Sequence, residues 1–291
     1  MIRPLAYLAL LVAGPAFAAT TPVSVTDDAG RTVTLKAPAH RIVSLAPNIT
    51  DTLYAAGAGS YVVGTSRFTE HPEAARHVPV VGDATMLDLE RIVALKPDLI
   101  MVWKSGTPAA QVDKLARLGI PIYYSETTRL ADIPDATRRF GTLAGTEAAA
   151  STTATAFAEA LDGLRRAYAG KKRLKVFFQV WDRPLMTVGR AQMISDALDL
   201  CGGDNLFNDL AQAAPTVGRE AVLARNPDVI MTAGGEGDSL APWMQGSSLA
   251  AARRGNVMAI DAPTLALPSP SILPSVRTLC LKLDEARSRT P

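Results

Sequence analysis

Histidine stops early in this chain: there are three, His40, His71 and His77, and none in the rest of the 291 residues. Any acid–base chemistry in the later two-thirds would therefore have to do without an imidazole. Cysteine is as scarce, with only Cys201 and Cys280. Beyond the first twenty residues no apolar run approaches the length of a membrane-crossing helix. Charge of one sign is missing too, with 30 basic against 28 acidic residues. With no basic surplus to release phosphate counterions, nucleic acid is excluded as a partner.

What is present begins with a leader. Arg3 supplies a short positive start, Leu5 to Val12 is an apolar run, and Ala16-Phe17-Ala18 fits small-x-small cleavage. Residues 1–18 are thus expected to be a signal peptide, with the mature chain exported. No cysteine follows the cleavage site, so a bacterial lipid anchor has no attachment point. The mature chain is expected to be free and soluble in the periplasm. At about 270 residues it exceeds one typical domain, and a hydrophobic content of 48% supplies a substantial core. In an exported protein the two cysteines read as a disulfide, with two free core thiols as the alternative. A metal pair is disfavoured because all three histidines lie far upstream.

Along the chain, short apolar runs alternate with helical stretches. After a Ser/Thr-rich lead ending at Pro38, strands are expected at Ile42–Leu45, Val62–Thr65, Leu99–Trp103 and Ile120–Tyr124, with helices at Leu87–Leu95 and Gln111–Leu118. The pattern restarts with strands at Val176–Val180, Val229–Thr232 and Val257–Ile260. Its helices are expected at Gln192–Leu200, Ala221–Arg225 and Ser271–Ala286. Such alternation predicts α/β structure with mostly parallel sheets. Between the two series, Glu147 to Leu161 has no glycine or proline, and Phe157, Leu161, Leu164 and Tyr168 recur at helical spacing. A helix over Glu147–Tyr168 would measure roughly 33 Å at 1.5 Å per residue, the dimension of a rigid strut. The expected organisation is a first lobe at 40–145, an interlobe helix at 146–170 and a second lobe at 171–291.

The most specific feature is an internal repeat. Leu89-Glu90-Arg91-Ile92-Val93-Ala94-Leu95-Lys96-Pro97-Asp98-Leu99-Ile100-Met101 aligns with Arg219-Glu220-Ala221-Val222-Leu223-Ala224-Arg225-Asn226-Pro227-Asp228-Val229-Ile230-Met231. Two copies this far apart imply two related lobes, because solenoid repeats are shorter and contiguous.

With Arg41-Ile42-Val43-Ser44-Leu45-Ala46-Pro47 and Cys201-Gly202-Gly203-Asp204-Asn205-Leu206-Phe207, this block gives the chain its resemblance to a family. The chain resembles the periplasmic binding proteins of metal-chelate ABC importers, and its cobalamin-binding members come nearest. The resemblance implies two Rossmann-like lobes joined by one long helix, and a monomer that carries a small metal chelate to a permease dimer in the inner membrane. No cofactor is implied beyond that cargo, expected to be cobalamin or a related corrinoid. By the same resemblance Glu90 and Glu220 are expected to dock on the importer, one from each lobe. Cys201 and Cys280 match a disulfide, and Phe68 and Trp103 match aromatic positions of the ligand cleft. The chain departs from the cobalamin binders at Ala84-Thr85 and Ala214, where they carry tryptophans, and at Pro263 to Leu267, which here has no charge.

Position adds Trp181, which follows a strand as Trp103 ends one, at the carboxyl end where parallel sheets form crevices. A flat aromatic packs on a macrocycle with little loss of side-chain entropy. Trp243 reads as a core residue. A ferric siderophore would require arginines, for which Arg67 and Arg183 are candidates. Haem would require an axial group such as Tyr123, Tyr124 or His71. A zinc or manganese receptor would draw on His71 and His77 with Glu70 and Glu73. Gly237-Asp238-Ser239-Leu240 resembles the nucleophile signature of a serine esterase family, but the histidine such an enzyme needs downstream is absent. The reading is therefore a binding protein and not an enzyme.

Overall fold

The computed structural model describes residues 21–233, 237–245 and 248–290. The leader, with its expected cleavage site, and the Gly234-Gly235 turn lie outside them. The Ser/Thr-rich lead proves to be a hairpin of β1 (Val23–Thr26) and β2 (Thr32–Leu35). Val25, Val33 and Leu35 face the core while the alternate serine and threonines face water, the period-2 pattern of a half-buried strand pair. Asp27 closes the turn, accepting from the Ala29 and Arg31 amides and from the Arg31 guanidinium. Burial alone would push the Asp27 carboxyl up, but bonds from Arg31 and the Tyr124 amide outweigh it and hold it below the usual carboxylate range.

The first sheet follows. β3 (Ile42–Ser44) leads into α1 (Pro47–Ala55), β4 (Val62–Gly64), α2 (Leu89–Ala94), β5 (Leu99–Trp103), α3 (Ala109–Ala116) and β6 (Ile122–Ser125). All four strands are parallel in the order β4-β3-β5-β6. Ile42, Val43, Leu99, Ile100, Met101 and Val102 are buried, as strands covered on both faces should be.

Next comes α4 (Ile133–Ala144), which the sequence pattern does not announce, and then α5 at Glu147–Tyr168, with the bounds its spacing predicts. The two helices touch where Gly141 meets Ala150; a Cβ on Gly141 would lie 2.3 Å from the Ala150 Cβ. Along α5 the buried stripe divides between the lobes. Ala150 packs into the first core, while Phe157 and Leu161 pack into the second. Leu130 and Ile133 also enter the second core, so the strut is braced at its side.

The second sheet is built from β7 (Leu174–Asp182), β8 (Leu185–Thr187), α6 (Met193–Leu200), β9 (Gly203–Asn205), α7 (Arg219–Arg225) and β10 (Val229–Ala233). The short α8 (Ala241–Met244) and α9 (Ala250–Arg253) precede β11 (Val257–Ile260), and α10 (Ile272–Ser288) closes the chain. The strand order is β11-β10-β7-β8, with β9 also pairing to β7, and every pairing is parallel except β7 with β8. Cys201, at the end of α6, is bridged to Cys280 in α10 inside this lobe's core. The architecture is α/β, two mainly parallel sheets joined by one long helix.

The internal repeat extends to individual atoms. Each copy's short helix ends in a left-handed residue, Lys96 at φ 49° and Asn226 at φ 44°. After each, an aspartate ties its own segment to the neighbouring strand. The Asp98 amide donates to the Arg41 carbonyl, and its carboxylate accepts from the Arg41 amide. Asp228 does the same with Lys175.

Candidate functional site: a crevice between the two sheets

In an open parallel sheet, loops leaving two neighbouring strands in opposite directions part at the carboxyl ends and open a crevice. In the first sheet the switch falls between β3 and β5. A cavity of about 250 Å³ lies there, lined by Leu45, Ala46, Pro47, Phe68, Thr85 and Trp103 among others. In the second sheet the switch falls between β7 and β10. A cavity of about 240 Å³ sits at that point, walled by Phe178, Val180, Ala233, Ala262, Pro263 and Ala266. One hydrogen bond lies between these regions. Ser271, just before α10, donates to the Asp51 carboxylate in α1 across 220 residues of sequence, at 3.0 Å. This bond joins the lobes on this side, as the Leu130 amide bound to Asp196 of α6 joins them beside the strut.

Of the expected cleft residues, Phe68 and Trp103 border the same cavity. Phe68 is 77% exposed and sits at φ 64°, a left-handed backbone rare for a bulky residue. Strain of that kind persists where surrounding structure holds it. Here Thr69 donates to the Ser66 carbonyl and joins a buried hydroxyl chain through Thr65 and Thr50 to Ser44.

Trp103 is 40% exposed and fixed on three sides. Its indole N–H donates to Glu126 at 3.1 Å, its amide donates to Thr107, and Gly106 lies against its ring. Glu126 also accepts from the Ser105 amide and hydroxyl, so one carboxylate orders the whole turn after β5. Sequence reasoning missed both Glu126 and Gly106, since nothing in a lone Glu or Gly marks it as a brace.

Trp181 is half exposed near the end of β7, with its indole N–H on the Arg183 carbonyl. The second cavity is walled by Phe178, Gln179 and Val180 of β7 but not by Trp181, which stands beyond an irregularity in the β7–β8 register between Gln179 and Trp181. Pro263 and Ala266, in the uncharged segment before α10, belong to that wall. Trp243 is buried, donating to Gln179 and stacking edge-on with Phe177.

The charges around the crevice are already engaged. Arg67 pairs with Asp83 at 3.4 Å and Arg183 with Asp182 at 3.2 Å. Bonds from the Thr85 hydroxyl and from the Thr85 and Met86 amides hold the Asp83 carboxyl below its usual range. Tyr123 is buried against Phe140, and burial pushes its phenol well above the usual range; it cannot serve as an axial ligand. Tyr124 is covered by the Arg31 guanidinium. His71 is held through Nδ1 by Asp51. Among the described residues no group of three or more His, Cys, Asp or Glu is placed to hold a metal ion. Ser239 accepts from Gln179. Glu90 and Glu220 sit at equivalent exposed positions at the start of α2 and α7, and neither makes an ion pair among the described residues.

Asp51 itself is 2% exposed, with one carboxylate oxygen shared by His71 and Ser271 and the other without a hydrogen-bond partner among the described residues. Ser271→Ala removes this hydrogen bond between the lobes and leaves the Asp51 carboxyl group in place. It is expected to cost about 1.5–3 kcal/mol, the range for a bond to a charged acceptor. An unchanged melting temperature would show that the bond contributes nothing in solution.

The sequence pattern of the periplasmic binding protein family matches residues 42–263, and the chain belongs to that family. Its members are solute-binding proteins of ABC importers and not enzymes. A vitamin B12-binding protein of Vibrio cholerae is 33% identical over 255 residues, covering 87% of this chain and 92% of that one. That of Yersinia pestis is 37% identical over 196 residues, 67% of this chain and 70% of the relative. The crystal structure of the periplasmic vitamin B12 binding protein of Vibrio cholerae superposes with a TM-score of 0.78 at 33% identity, covering 86% of this chain and 98% of that one. A periplasmic haem-binding protein in complex with two haems shares the fold at a TM-score of 0.76 but only 19% identity, over 84% of this chain and 98% of the other. No helix among the described residues is long and apolar enough to cross a membrane.

Proposed function

We propose that this chain, exported by its leader, captures cobalamin or a related corrinoid between its lobes in the periplasm and hands it to an inner-membrane permease dimer. The observation that carries the reading is the character of the two walls. One offers Phe68 and Trp103, and the other offers Val180, Ala233, Ala262, Pro263 and Ala266. A corrin ring presents broad faces with amides at its rim, so it suits apolar walls that supply few charges. Haem brings two carboxylates and many siderophores bring a net charge. Against these, the one arginine on the first wall is already paired with Asp83, and the second wall has none. The relatives named for vitamin B12 at 30% identity and above support the same choice. Trp181 sits on the rim of the second lobe, where it would meet a ligand larger than either cavity. Glu90 and Glu220, one on each lobe, are the docking charges for the permease, and two fixed charges also define an orientation.

The test is a titration of the purified mature protein with cyanocobalamin, haemin and a ferric siderophore, read by tryptophan fluorescence. Cyanocobalamin is expected to quench at micromolar concentration or below. Silence with cyanocobalamin, beside a saturable response to either other ligand, would overturn the corrinoid assignment.

A further inference from the structure

The two copies of the repeat agree on their outer faces as well as their inner ones. On α2, Ile92 is buried while Glu90 and Val93 face outward; on α7, Val222 is buried while Glu220 and Leu223 face outward. A carboxylate and an aliphatic side chain three residues on share one helix face. Val93 is 45% exposed and Leu223 41%. A single exposed aliphatic needs no explanation. Two at equivalent positions in separate lobes, each beside an equivalent unpaired carboxylate, call for a common cause. The pattern continues nearby. Met86, well exposed, lies three residues before α2, and Met244, also exposed, is on α8, whose Pro242 carbonyl accepts from Arg219 of α7. Unbranched methionines adapt to a facing surface.

We infer that Val93 and Leu223 are paired apolar anchors of the permease-docking surface, each seating in a hydrophobic socket beside a basic side chain on one half of a two-fold partner. This rests on the carrier reading above. The occupant is assigned by symmetry and charge: two equivalent patches, each acidic and aliphatic, complement a dimer that presents the same basic and apolar site twice. The division of labour follows from the chemistry. The carboxylates steer and orient, with an effect that salt screens. The aliphatic anchors, desolvated at the centre of each contact, hold the complex.

The experiment compares Val93→Ser/Leu223→Ser with Glu90→Gln/Glu220→Gln, each double variant as full mature protein. Docking to right-side-out membrane vesicles of the source organism is measured at low and high salt, and cyanocobalamin affinity in parallel. The serine pair is expected to weaken docking at least tenfold at both salt concentrations, with ligand affinity unchanged. The glutamine pair is expected to weaken it chiefly at low salt. If the serine pair docks like the parent while the glutamine pair fails, the anchors are wrong and the docking reading stands. If both pairs dock like the parent, the docking reading falls with them. A parent protein that is dimeric by native mass, made monomeric by the serine pair, would reassign the face to a second copy of this chain.

Discussion

Removing the disulfide is expected to lower the melting temperature by roughly 8–15 °C, whether by reduction or by Cys201→Ala/Cys280→Ala. The bridge spans 79 residues of sequence. Closing so long a loop restricts the unfolded chain by about 4 kcal/mol in the chain-entropy model. For a chain of this size each kcal/mol moves the midpoint by roughly 2–4 °C. The bridge ties the end of α6 to the middle of α10, two helices that cover one side of the second sheet. Both sulfurs are fully buried, so the alanine pair also leaves a small void, and reduction alone separates that packing loss from the cross-link. Calorimetry with and without reductant is the measurement. An unchanged midpoint would mean that the cross-link adds nothing to the folded state.

The second large effect is on binding. Trp103→Ala is expected to weaken cyanocobalamin affinity by about 10- to 100-fold, the usual consequence of truncating a central aromatic contact. Gly106→Ala makes the sharper test, because it leaves the indole in the chain and disturbs only its seat. A Cβ at Gly106 would lie 1.9 Å from a ring carbon of Trp103, so the indole must move. A loss approaching that of Trp103→Ala shows that the orientation of the ring matters as well as its presence. Glu126→Gln keeps an acceptor for the indole N–H but weakens the clamp on Ser105, and its affinity is expected to fall between those of the parent and Trp103→Ala. Calorimetric titration of all three variants with cyanocobalamin decides. Parent-like affinity in Trp103→Ala would remove this residue from the site.

How much of this was legible beforehand varies by element. The strut was readable to the residue: Glu147 to Leu161 has no breaker, and its apolar spacing is strictly helical. The Leu89–Met101 and Arg219–Met231 blocks were readable because a short helix, a proline and a buried strand recur together. By contrast α4 was hidden. Pro134 and Gly141 punctuate its sequence like a loop, yet Pro134 occupies the first turn, where its missing N–H costs nothing, and Gly141 is needed for close contact with α5. The hairpin was written in alternating Val-Ser-Val-Thr and Thr-Val-Thr-Leu, but its serines and threonines gave it the look of a loose lead.

By itself, the sequence determined the α/β class, the pair of lobes, the connecting helix, the cysteine pair and the want of a downstream histidine. Each of these depends on local periodicity, on a repeat or on a simple count. Only the tertiary structure decided which side chains share a wall. Phe68 shares a cavity with Trp103 because β3 and β5 part at a switch point, and Val180 stands near Ala233 because β7 and β10 part at another. Asp51 finds Ser271 across 220 residues because α1 of one lobe and the start of α10 of the other come together. Strand order and side-chain direction are set by packing between segments far apart in the chain, and no local pattern encodes them.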